Sequence, residues 1–313
     1  MIKKNLAIGI DVGGSHVSCA AFNLNEKKYL PGTFAESELD NHGPADEIIA
    51  VWSKTIACSI EAVGLENLSG IGFAMPGPFN YEKGIPLFTG ENNKYENIYG
   101  IDVPAALRKS LNLPGDFPIR FINDATAFAI GEDWAGKAQG SKRSLSITLG
   151  TGFGSAFLKD NLPVTSGDDV PEQGCIWHLP FKDGIADDYF STRGLVGRYQ
   201  QKTGKSVKGV KEIAISAPTE EVARELFNDF GSQLVNLLQP WLERFQVEVL
   251  VIGGNIANAY DWFQPALTAA LKDNNCAVRV EISSLKETAA IIGSAVLADH
   301  SFYARVEPLL AEM

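Results

Sequence analysis

The chain has 313 residues, 45% of them hydrophobic and 21% charged, which is typical of globular proteins with ample apolar side chains for a core. Its length favours two domains over one. The formal net charge of −11 argues against nucleic acid as a partner, because nonspecific binding to nucleic acid depends on clustered Lys and Arg.

The beginning of the chain resembles a signal peptide only in part. Its first residues are charged and then apolar, but Asp11 and the glycines that follow interrupt the apolar run. We therefore expect a first strand here and a cytoplasmic protein. No apolar run in the sequence is long enough to cross a bilayer, so we also expect no membrane partner.

The four cysteines are widely scattered along the chain, at Cys19, Cys58, Cys175 and Cys276. No CxxC or CxC pair occurs. This spacing argues against a disulfide framework and against a four-cysteine metal site, and favours reduced thiols.

In the first third of the chain, short apolar segments alternate with a helical pattern. Strands are predicted at 6–12, 17–24, 29–36 and 69–78, with a helix at 45–63. The last of these strands ends in a Pro-Gly-Pro turn. A long polar loop at 90–100 precedes a helix at about 103–111, and loops of that length are often binding loops.

The second half begins with a partial repeat of the first. Residues 145–158 (LSITLGTGFGSAFL) follow the same strand, glycine turn and strand plan as residues 8–22 (IGIDVGGSHVSCAAF). Each pair of strands is predicted to open its own domain. Further along, a long helix is predicted at 219–246 with a kink at Pro240, then a strand and turn at 247–258 and a helix at 287–302.

Between these repeats, residues 119–132 (IRFINDATAFAIGE) predict a buried strand that runs directly into a helix. Asn123 and Asp124 lie at the junction. One interpretation is that they cap the helix, since both side chains accept hydrogen bonds from its first free amides. The other is that Asp124 is a carboxylate at the carboxyl edge of a sheet, where open α/β sheets bind ligands.

Three strand ends carry glycine turns: Gly13-Gly14, Gly150–Gly154 and Gly253-Gly254. Glycine lets backbone amides approach a ligand without a Cβ in the way, and successive amides form a concavity for anions. One such turn is weak evidence, because hairpins use glycine in any case. Two hairpins that open two domains could hold a polyphosphate, although neither a P-loop nor a GxGxxG fingerprint is present.

Five motifs together resemble the ROK family of sugar kinases and sugar-responsive regulators, a branch of the actin-like ATPases. They are IGIDVGGSHV, PGP, FINDATAFAIGE, ITLGTGFGSAF and VLVIGGNIAN, in the family's order and over nearly the whole chain. The resemblance implies an α/β actin-like ATPase (ribonuclease H-like) fold with a ligand cleft between two lobes. The small lobe would comprise 1–122 completed by a C-terminal helix at about 297–313, and the large lobe 123–296.

The resemblance also implies a role for each matching residue. Asp124 would take the proton from the attacking sugar hydroxyl, Asn123 would hydrogen-bond sugar hydroxyls, and Gly77 would belong to the sugar-side turn. Asp11 would organise Mg²⁺ and its waters. The residues implied in ATP binding are Asp11, Gly13, Gly14, Ser15, Gly150, Thr151, Gly152, Gly154, Gly253 and Gly254.

The chain departs from the family pattern at 171–195. The family's ExGH motif is matched by Glu172, but Cys175 occupies the histidine position and His178 lies three residues later. Asp187 falls where the family has a last Glu, so we expect Glu172, Cys175, His178 and Asp187 near the sugar. A packed His178 and a small buried Cys175 are the alternatives. The family's zinc cysteines are absent, and we expect no zinc.

The resemblance therefore predicts an ATP-dependent kinase for a hexose or related sugar, with a homodimer as the common family assembly. The alternatives are a non-enzymatic sugar-binding or sensor protein and an actin-like ATPase that acts on another acceptor. The family's regulators carry a DNA-binding helix-turn-helix before the first phosphate motif, and here that motif begins by Leu6. We therefore expect no DNA-binding segment.

Overall fold

The computed structural model describes residues 4–92 and 94–313. The described chain forms two compact units. Unit 1 takes its residues from Met1–Gln139, Asn161–Pro163 and Glu287–Met313, and unit 2 consists of Gly140–Asp160 and Val164–Lys286.

Most strands belong to one five-stranded sheet in each half of the chain, and four shorter ones form two-stranded pairs. The strands are β1 (Leu6–Val12), β2 (His16–Asn23), β3 (Lys28–Glu38), β4 (Leu68–Met75), β5 (Phe79–Asn80), β6 (Ile85–Pro86), β7 (Ile119–Asn123), β8 (Arg143–Leu149), β9 (Phe153–Lys159), β10 (Leu162–Val164), β11 (Pro180–Phe181), β12 (Gly184–Ile185), β13 (Val249–Gly253) and β14 (Arg279–Ile282).

The α-helices lie between and after these strands, and short 3₁₀ turns extend several of the connections. They are α1 (Ala45–Val63), α2 (Val103–Ser110), α3 (Asp124–Ala135), α4 (Ala186–Phe190), α5 (Thr192–Thr203), α6 (Val210–Ser216), α7 (Glu221–Arg244), α8 (Tyr260–Asp273), α9 (Thr288–Val296) and α10 (His300–Val306).

The sheet of unit 1 has the strand order β3-β2-β1-β4-β7. The first three strands are antiparallel neighbours, whereas β1, β4 and β7 run parallel. The carboxyl ends of these three parallel strands therefore lie side by side at one edge of the sheet. Open sheets of this kind bind ligands at that edge.

The small-residue helix α9 packs directly on this sheet. A Cβ at Gly9 in β1 would lie 1.7 Å from the carbonyl oxygen of Ile291, and a Cβ at Gly72 in β4 would lie 1.8 Å from that of Ser294. On the opposite side of the helix, a Cβ at Gly293 would lie 1.8 Å from the carbonyl oxygen of Ala127 in α3. These glycines let the backbones of β1, β4, α3 and α9 approach closely.

This packing explains why unit 1 differs from the predicted small lobe. The prediction placed the boundary after residue 122 and began the C-terminal segment at about 297. The compact unit instead extends to Gln139 and resumes at Glu287. Helices α3 and α9 are part of it because they pack on each other and on β1 and β4.

The sheet of unit 2 contains the order β9-β8-β13-β14, with β8 and β13 parallel. The long helix α7 buries an aromatic face, in which Phe230 lies 5.2 Å from Phe263 of α8 and 5.4 Å from Phe190, measured between ring centroids. It continues through Pro240 to Arg244. Among the described residues, no helix is both long and apolar enough to cross a membrane.

Candidate functional site

The sequence-predicted residues of unit 1 meet at the carboxyl edge of its sheet. Asp11 pairs with Ala74 across β1 and β4, and Met75 at the end of β4 pairs with Asn123 at the end of β7. The register of three neighbouring parallel strands therefore brings Asp11 and Asn123 to one edge, and Asp124 follows as the first residue of α3.

At the junction of β7 and α3, Asn123 and Asp124 make different hydrogen bonds. Asn123 is the N-cap, and its Oδ1 accepts a hydrogen bond from the amide of Thr126 at 3.1 Å. The Oδ1 of Asp124 accepts from the amide of Ala125 at 2.8 Å and from Nδ2 of Asn123 at 3.1 Å. Both bonds are made to the same carboxylate oxygen, Oδ1. The other oxygen, Oδ2, has no hydrogen-bond partner among the described residues.

Tyr81 supports this junction from the next loop. Its hydroxyl donates to the carbonyl oxygen of Met75 at 3.1 Å and accepts from Nδ2 of Asn123 at 3.3 Å. Gly77 lies exposed in the same turn, and a Cβ there would lie 3.5 Å from the Tyr81 hydroxyl. The predicted sugar-side turn is thus adjacent to the predicted sugar-contacting amide.

Asp11 is the most electrostatically perturbed carboxyl of this edge. Burial, together with the negative charges of Asp124 and Glu287, raises the pKa of Asp11 to about 7. Among the described residues, no Lys or Arg forms an ion pair with any of these three acids. A carboxyl held beside other carboxylates without a protein cation is a suitable ligand for a metal cation.

The first glycine hairpin joins β1 to β2. The amide of Gly13 donates to the carbonyl oxygen of His16 at 2.9 Å and closes the turn, while Gly14 and Ser15 are exposed. Two side chains hold its carbonyl groups: Tyr95 Oη lies 2.5 Å from the oxygen of Gly13, and Asn41 Nδ2 lies 2.5 Å from that of Gly14.

The second glycine hairpin joins β8 to β9 in unit 2. The amide of Gly150 donates to the carbonyl oxygen of Gly152 at 3.0 Å. A Cβ at Gly150 would meet no protein atom within 4 Å, and a Cβ at Gly152 would meet only Oδ1 of Asp187, at 3.2 Å. Packing within unit 2 therefore does not explain Gly150, whereas close approach of a ligand would, and at Gly152 the Asp187 carboxylate also limits the space for a side chain. Thr151 is exposed between them, and Gly154 lies in β9.

The third glycine turn has a structural explanation. Gly253 ends β13, and Gly254 has a φ of 81° with its ideal Cβ position 2.4 Å from the carbonyl oxygen of Leu149. A side chain at Gly254 would be strained and would clash with β8. The register pairs Gly253 with Thr148, so this turn lies at the same edge of the sheet as the hairpin of β8 and β9.

The segment that departs from the family pattern is anchored on β9, where the amide of Ile176 donates to Oγ of Ser155 at 2.8 Å. Glu172 is exposed. The sulfur of Cys175 lies 3.6 Å from Nδ1 of His178, and His178 packs edge-on against Trp177. Burial raises the pKa of the Cys175 thiol to about 11, so the group is a protonated thiol rather than a nucleophile.

Asp187 has other partners than the sugar contact expected from the sequence. Its Oδ1 accepts from the amide of Phe153 at 2.6 Å, and its Oδ2 accepts from Arg193 at 3.0 Å. Both carboxylate oxygens are thus used within unit 2, one of them by the glycine hairpin.

The donor groups of unit 1 are of the kind that binds magnesium, whereas Cys175 and His178 of unit 2 supply two potential zinc ligands. Mg²⁺ is commonly held by one or two carboxylates plus phosphates and water, which matches Asp11 with Asp124 nearby. Within residues 4–92 and 94–313, no three His, Cys, Asp or Glu side chains are grouped closely enough to hold a metal ion. Cys175 and His178 are a pair rather than a four-ligand set.

Sequence reasoning did not identify the residues that support the site. Tyr81, Tyr95, Asn41 and Glu287 all act on it through long-range contacts. The one available signal was the length of the polar loop at 90–100, which contains Tyr95 and was interpreted as a binding loop.

Solved structures that share this fold identify the structural class of the protein. A ROK hexokinase from Thermus thermophilus superposes with a TM-score of 0.75, at 19% identity over 96% of this chain and 99% of its own. A ROK glucokinase from Streptomyces griseus, solved with glucose and AMPPNP, gives a TM-score of 0.72, at 20% identity over 93% of this chain and 98% of its own. The predicted actin-like ATPase α/β fold is confirmed.

The family follows from the sequence comparison. The sequence model of the ROK family matches residues 7–301, which is nearly the whole chain. The chain belongs to the ROK family. Among curated proteins, N-acetyl-D-glucosamine kinase of Photobacterium profundum is 26% identical over 272 residues, covering 80% of this chain and 84% of that protein.

Proposed function

We propose that this protein is an ATP-dependent sugar kinase that phosphorylates a hydroxyl group of a hexose or a related sugar. The observation that carries the proposal is the geometry of Asp124. Two hydrogen bonds fix its Oδ1, Oδ2 is left to accept a proton, and Asn123, the proposed sugar contact, lies directly beside it. Family membership supports the same function, because curated relatives of this chain are sugar kinases.

In the proposed reaction, Oδ2 of Asp124 accepts the proton of the sugar hydroxyl while the hydroxyl oxygen forms a bond to the γ-phosphorus of ATP. The bond between the γ-phosphorus and the β,γ-bridging oxygen breaks, and ADP leaves. Phosphoryl transfer needs mainly positioning and charge neutralisation, so one well-oriented carboxylate is sufficient protein chemistry. Asn123 orients the acceptor, and its capping bond to Thr126 keeps the amide in place.

The phosphate groups of ATP are assigned to the two glycine hairpins. In unit 1 the amides of Gly14 and Ser15 are on an exposed turn, and in unit 2 the position beside Gly150 is open and Thr151 and Gly152 are exposed. The turn at Gly253-Gly254 is assigned to the adenosine side. Asp11 would hold Mg²⁺, in part through water, and bound Mg²⁺ would neutralise phosphate charge.

The sugar is assigned to Gly77, Asn123 and Asp124 in unit 1 and to Glu172, Cys175 and His178 in unit 2. N-acetyl-D-glucosamine is the first candidate, because curated relatives of this chain are kinases for that sugar. Glucose and N-acetylmannosamine are the next candidates, because structural neighbours include a glucokinase and a protein described as a putative N-acetylmannosamine kinase. The protonated Cys175 thiol offers a smaller and weaker hydrogen-bonding group than the family's histidine.

The test is a coupled assay of ADP release with and without each sugar of a panel, with Mg²⁺ present. Sugar-dependent ADP release, with a sugar phosphate as the product, is the expected result. Sugar binding by calorimetry without ADP release would instead support the alternative of a non-enzymatic sugar-binding protein. ATP consumption that is independent of every sugar would contradict both.

Three properties of the protein in the cell are part of the proposal. We expect a cytoplasmic homodimer that does not bind nucleic acid. The net charge of −11 supports the last point. Light scattering of the purified protein tests the dimer, and a DNA mobility assay at low salt tests the absence of nucleic-acid binding.

A further inference from the structure

We propose that Arg193 binds a phosphate group of the nucleotide and that Asp187 positions it for this role. The inference rests on the proposed function and adds to it a residue that neither the family motifs nor the glycine turns include. It comes from the contacts that join the start of α5 to the second glycine hairpin.

The first contact is a bridge through one carboxylate. Oδ1 of Asp187 accepts from the amide of Phe153, the residue that ends the hairpin turn, at 2.6 Å. Oδ2 of the same carboxylate accepts from Arg193 at 3.0 Å. Because the two oxygens belong to one rigid group, the guanidinium of Arg193 is held at a short, fixed distance from the backbone of the hairpin.

The second contact comes from the residue before Arg193. Thr192 donates both its amide, at 2.8 Å, and its Oγ1, at 2.9 Å, to the carbonyl oxygen of Gly150. Ser191 caps α5, and its Oγ accepts from the amide of Gly194 at 3.4 Å. The first turn of α5 is thus bonded to the start of the hairpin while Asp187 ties it to the end.

The donor groups of Arg193 are only partly used. Its side chain is 65% exposed, and a single nitrogen, Nη2, contacts both Asp187 and Asp188. Among the described residues, no acceptor contacts Nε or Nη1 of Arg193. A guanidinium has five N–H donors in a planar fork that matches a phosphate, so one edge can hold the carboxylates while another binds the ligand.

An arginine beside the second glycine hairpin would supply positive charge that the hairpin itself lacks. Nucleotide phosphates carry several negative charges, whereas the hairpin motif at 150–154 contains no Lys or Arg and the chain has a net charge of −11. Any protein cation that adds to the charge of Mg²⁺ beside this hairpin therefore comes from a neighbouring element. The ordinary interpretation of Arg193 is a surface ion pair of little energetic value. That interpretation does not explain why its partner, Asp187, is bonded to a hairpin amide.

The experiment measures binding by calorimetry for adenosine, AMP, MgADP and MgATP with the wild-type protein and with Arg193→Ala. We expect the dissociation constant of at least one phosphate-bearing ligand to rise about tenfold or more, while that of adenosine stays the same. In the order AMP, MgADP and MgATP, the first ligand that Arg193→Ala binds more weakly than the wild type identifies the phosphate group that Arg193 contacts. The loss should shrink at high salt, and Arg193→Lys should restore part of the affinity.

The matched control is Arg279→Ala. Arg279 is also an exposed arginine of unit 2 that pairs with a carboxylate, Glu281, but its strand pairing places it beside Val249 at the far end of β13 from Gly253. This variant should bind every ligand like the wild type. A second variant, Asp187→Asn, retains an acceptor for the Phe153 amide but loses the charge that holds Arg193, and it should weaken MgATP less than Arg193→Ala does.

The outcomes are distinguishable. If the wild-type protein binds none of the four ligands, the proposed kinase function fails. If it binds them and Arg193→Ala binds them equally well, only the role of Arg193 is overturned. If Arg193→Ala loses adenosine as much as MgATP, or its melting temperature falls while that of Arg279→Ala does not, Arg193 has a structural role and the inference is wrong.

Discussion

Tyr95 donates a hydrogen bond from its hydroxyl to the carbonyl oxygen of Gly13 across a distance of 2.5 Å. In a trans peptide the carbonyl and the following amide point in opposite directions, so the amide of Gly14 points away from Tyr95. Asn41 holds the carbonyl of Gly14 in the same way, which turns the amide of Ser15 away from Asn41. Two side chains thus set the directions of two successive amides in the first hairpin, as anion binding requires.

We predict that Tyr95→Phe weakens ATP and leaves the sugar unaffected. The phenylalanine ring would keep the contacts with Trp52 and Phe88, whose centroids lie 6.0 and 5.5 Å from that of Tyr95, so the fold should be retained. One hydrogen bond of about 1 kcal/mol is lost, which corresponds to about a fivefold rise in the KM for ATP. Steady-state kinetics with ATP and sugar varied in turn is the measurement.

The control for this prediction is Tyr99→Phe, in the same loop. Tyr99 is 59% exposed, whereas Tyr95 is fully buried. Removal of the Tyr99 hydroxyl should change neither the KM for ATP nor the KM for sugar. An equal rise in both KM values for Tyr95→Phe would show general loosening of the loop and would contradict the role in the hairpin.

A second prediction concerns Asp124→Asn. The new amide oxygen can still accept from the amide of Ala125, and the N-cap itself is Asn123, so stability should change little. Proton removal is lost, and we expect kcat to fall by at least about two orders of magnitude with the KM for sugar within a few-fold. Asp102→Asn alters a cap with no catalytic role, at the start of α2, and should keep full activity. Turnover of Asp124→Asn near that of the wild type would remove Asp124 as the base.

A third prediction is a pH-dependent stability that depends on Asp11. Burial and the carboxylates of Asp124 and Glu287 raise its pKa from 3.8 to about 7. Between about pH 4 and pH 7 this carboxyl therefore binds more protons in the folded protein than in the unfolded chain, and its contribution to the free energy of unfolding falls as pH rises through this window. Asp11→Asn lacks this contribution, so its free energy of unfolding should fall less than that of the wild type over the same pH range.

Denaturant unfolding across this pH range measures the effect. Burial also raises the pKa of Asp133, to about 6, but that group contributes equally to both proteins, so their difference isolates Asp11. Added Mg²⁺ should offset the fall in the wild type above about pH 7, because the cation binds the ionised carboxyl, and should not do so in Asp11→Asn. If the free energies of unfolding of the wild type and of Asp11→Asn change in parallel with pH, with and without Mg²⁺, then the ionisation of Asp11 does not affect stability and the prediction is wrong.

Local sequence patterns were sufficient to predict the family, the fold and the position of the strand-end edge. The helix at 45–63 matches α1, and the strand-to-helix junction lies at Asn123 and Asp124 as predicted. Both follow from apolar periodicity and from capping chemistry, which act over a few residues. The predicted C-terminal helix is instead α10 followed by a 3₁₀ segment, and the small lobe gains α9.

The rest depended on contacts between residues far apart in sequence. Tyr95 is 82 residues from Gly13, and Asp187 is 34 residues from Phe153. No local period or motif encodes such pairs. The sequence also did not show which residue of the junction caps α3. Asn and Asp cap helices about equally well, and only the geometry shows that Asn123 is the cap.

The last prediction is that the protein holds no structural zinc, contrary to the family pattern. Cys175 and His178 could supply two ligands, with 3.6 Å between the sulfur and Nδ1, but a closed site normally needs four. Of the two acids among the predicted site residues of unit 2, Glu172 is exposed, and Asp187 already accepts from Phe153 and Arg193. The segment is instead held by packing, in which Phe190 lies 5.1 Å from Phe181 and 5.7 Å from Phe153 between ring centroids. Elemental analysis of protein purified without a chelator or a metal-affinity tag should find far less than one zinc per chain, and Cys175→Ser should leave the melting temperature within a few degrees of the wild type. About one zinc per chain, lost together with thermal stability in Cys175→Ser, would show that this segment is a metal site after all.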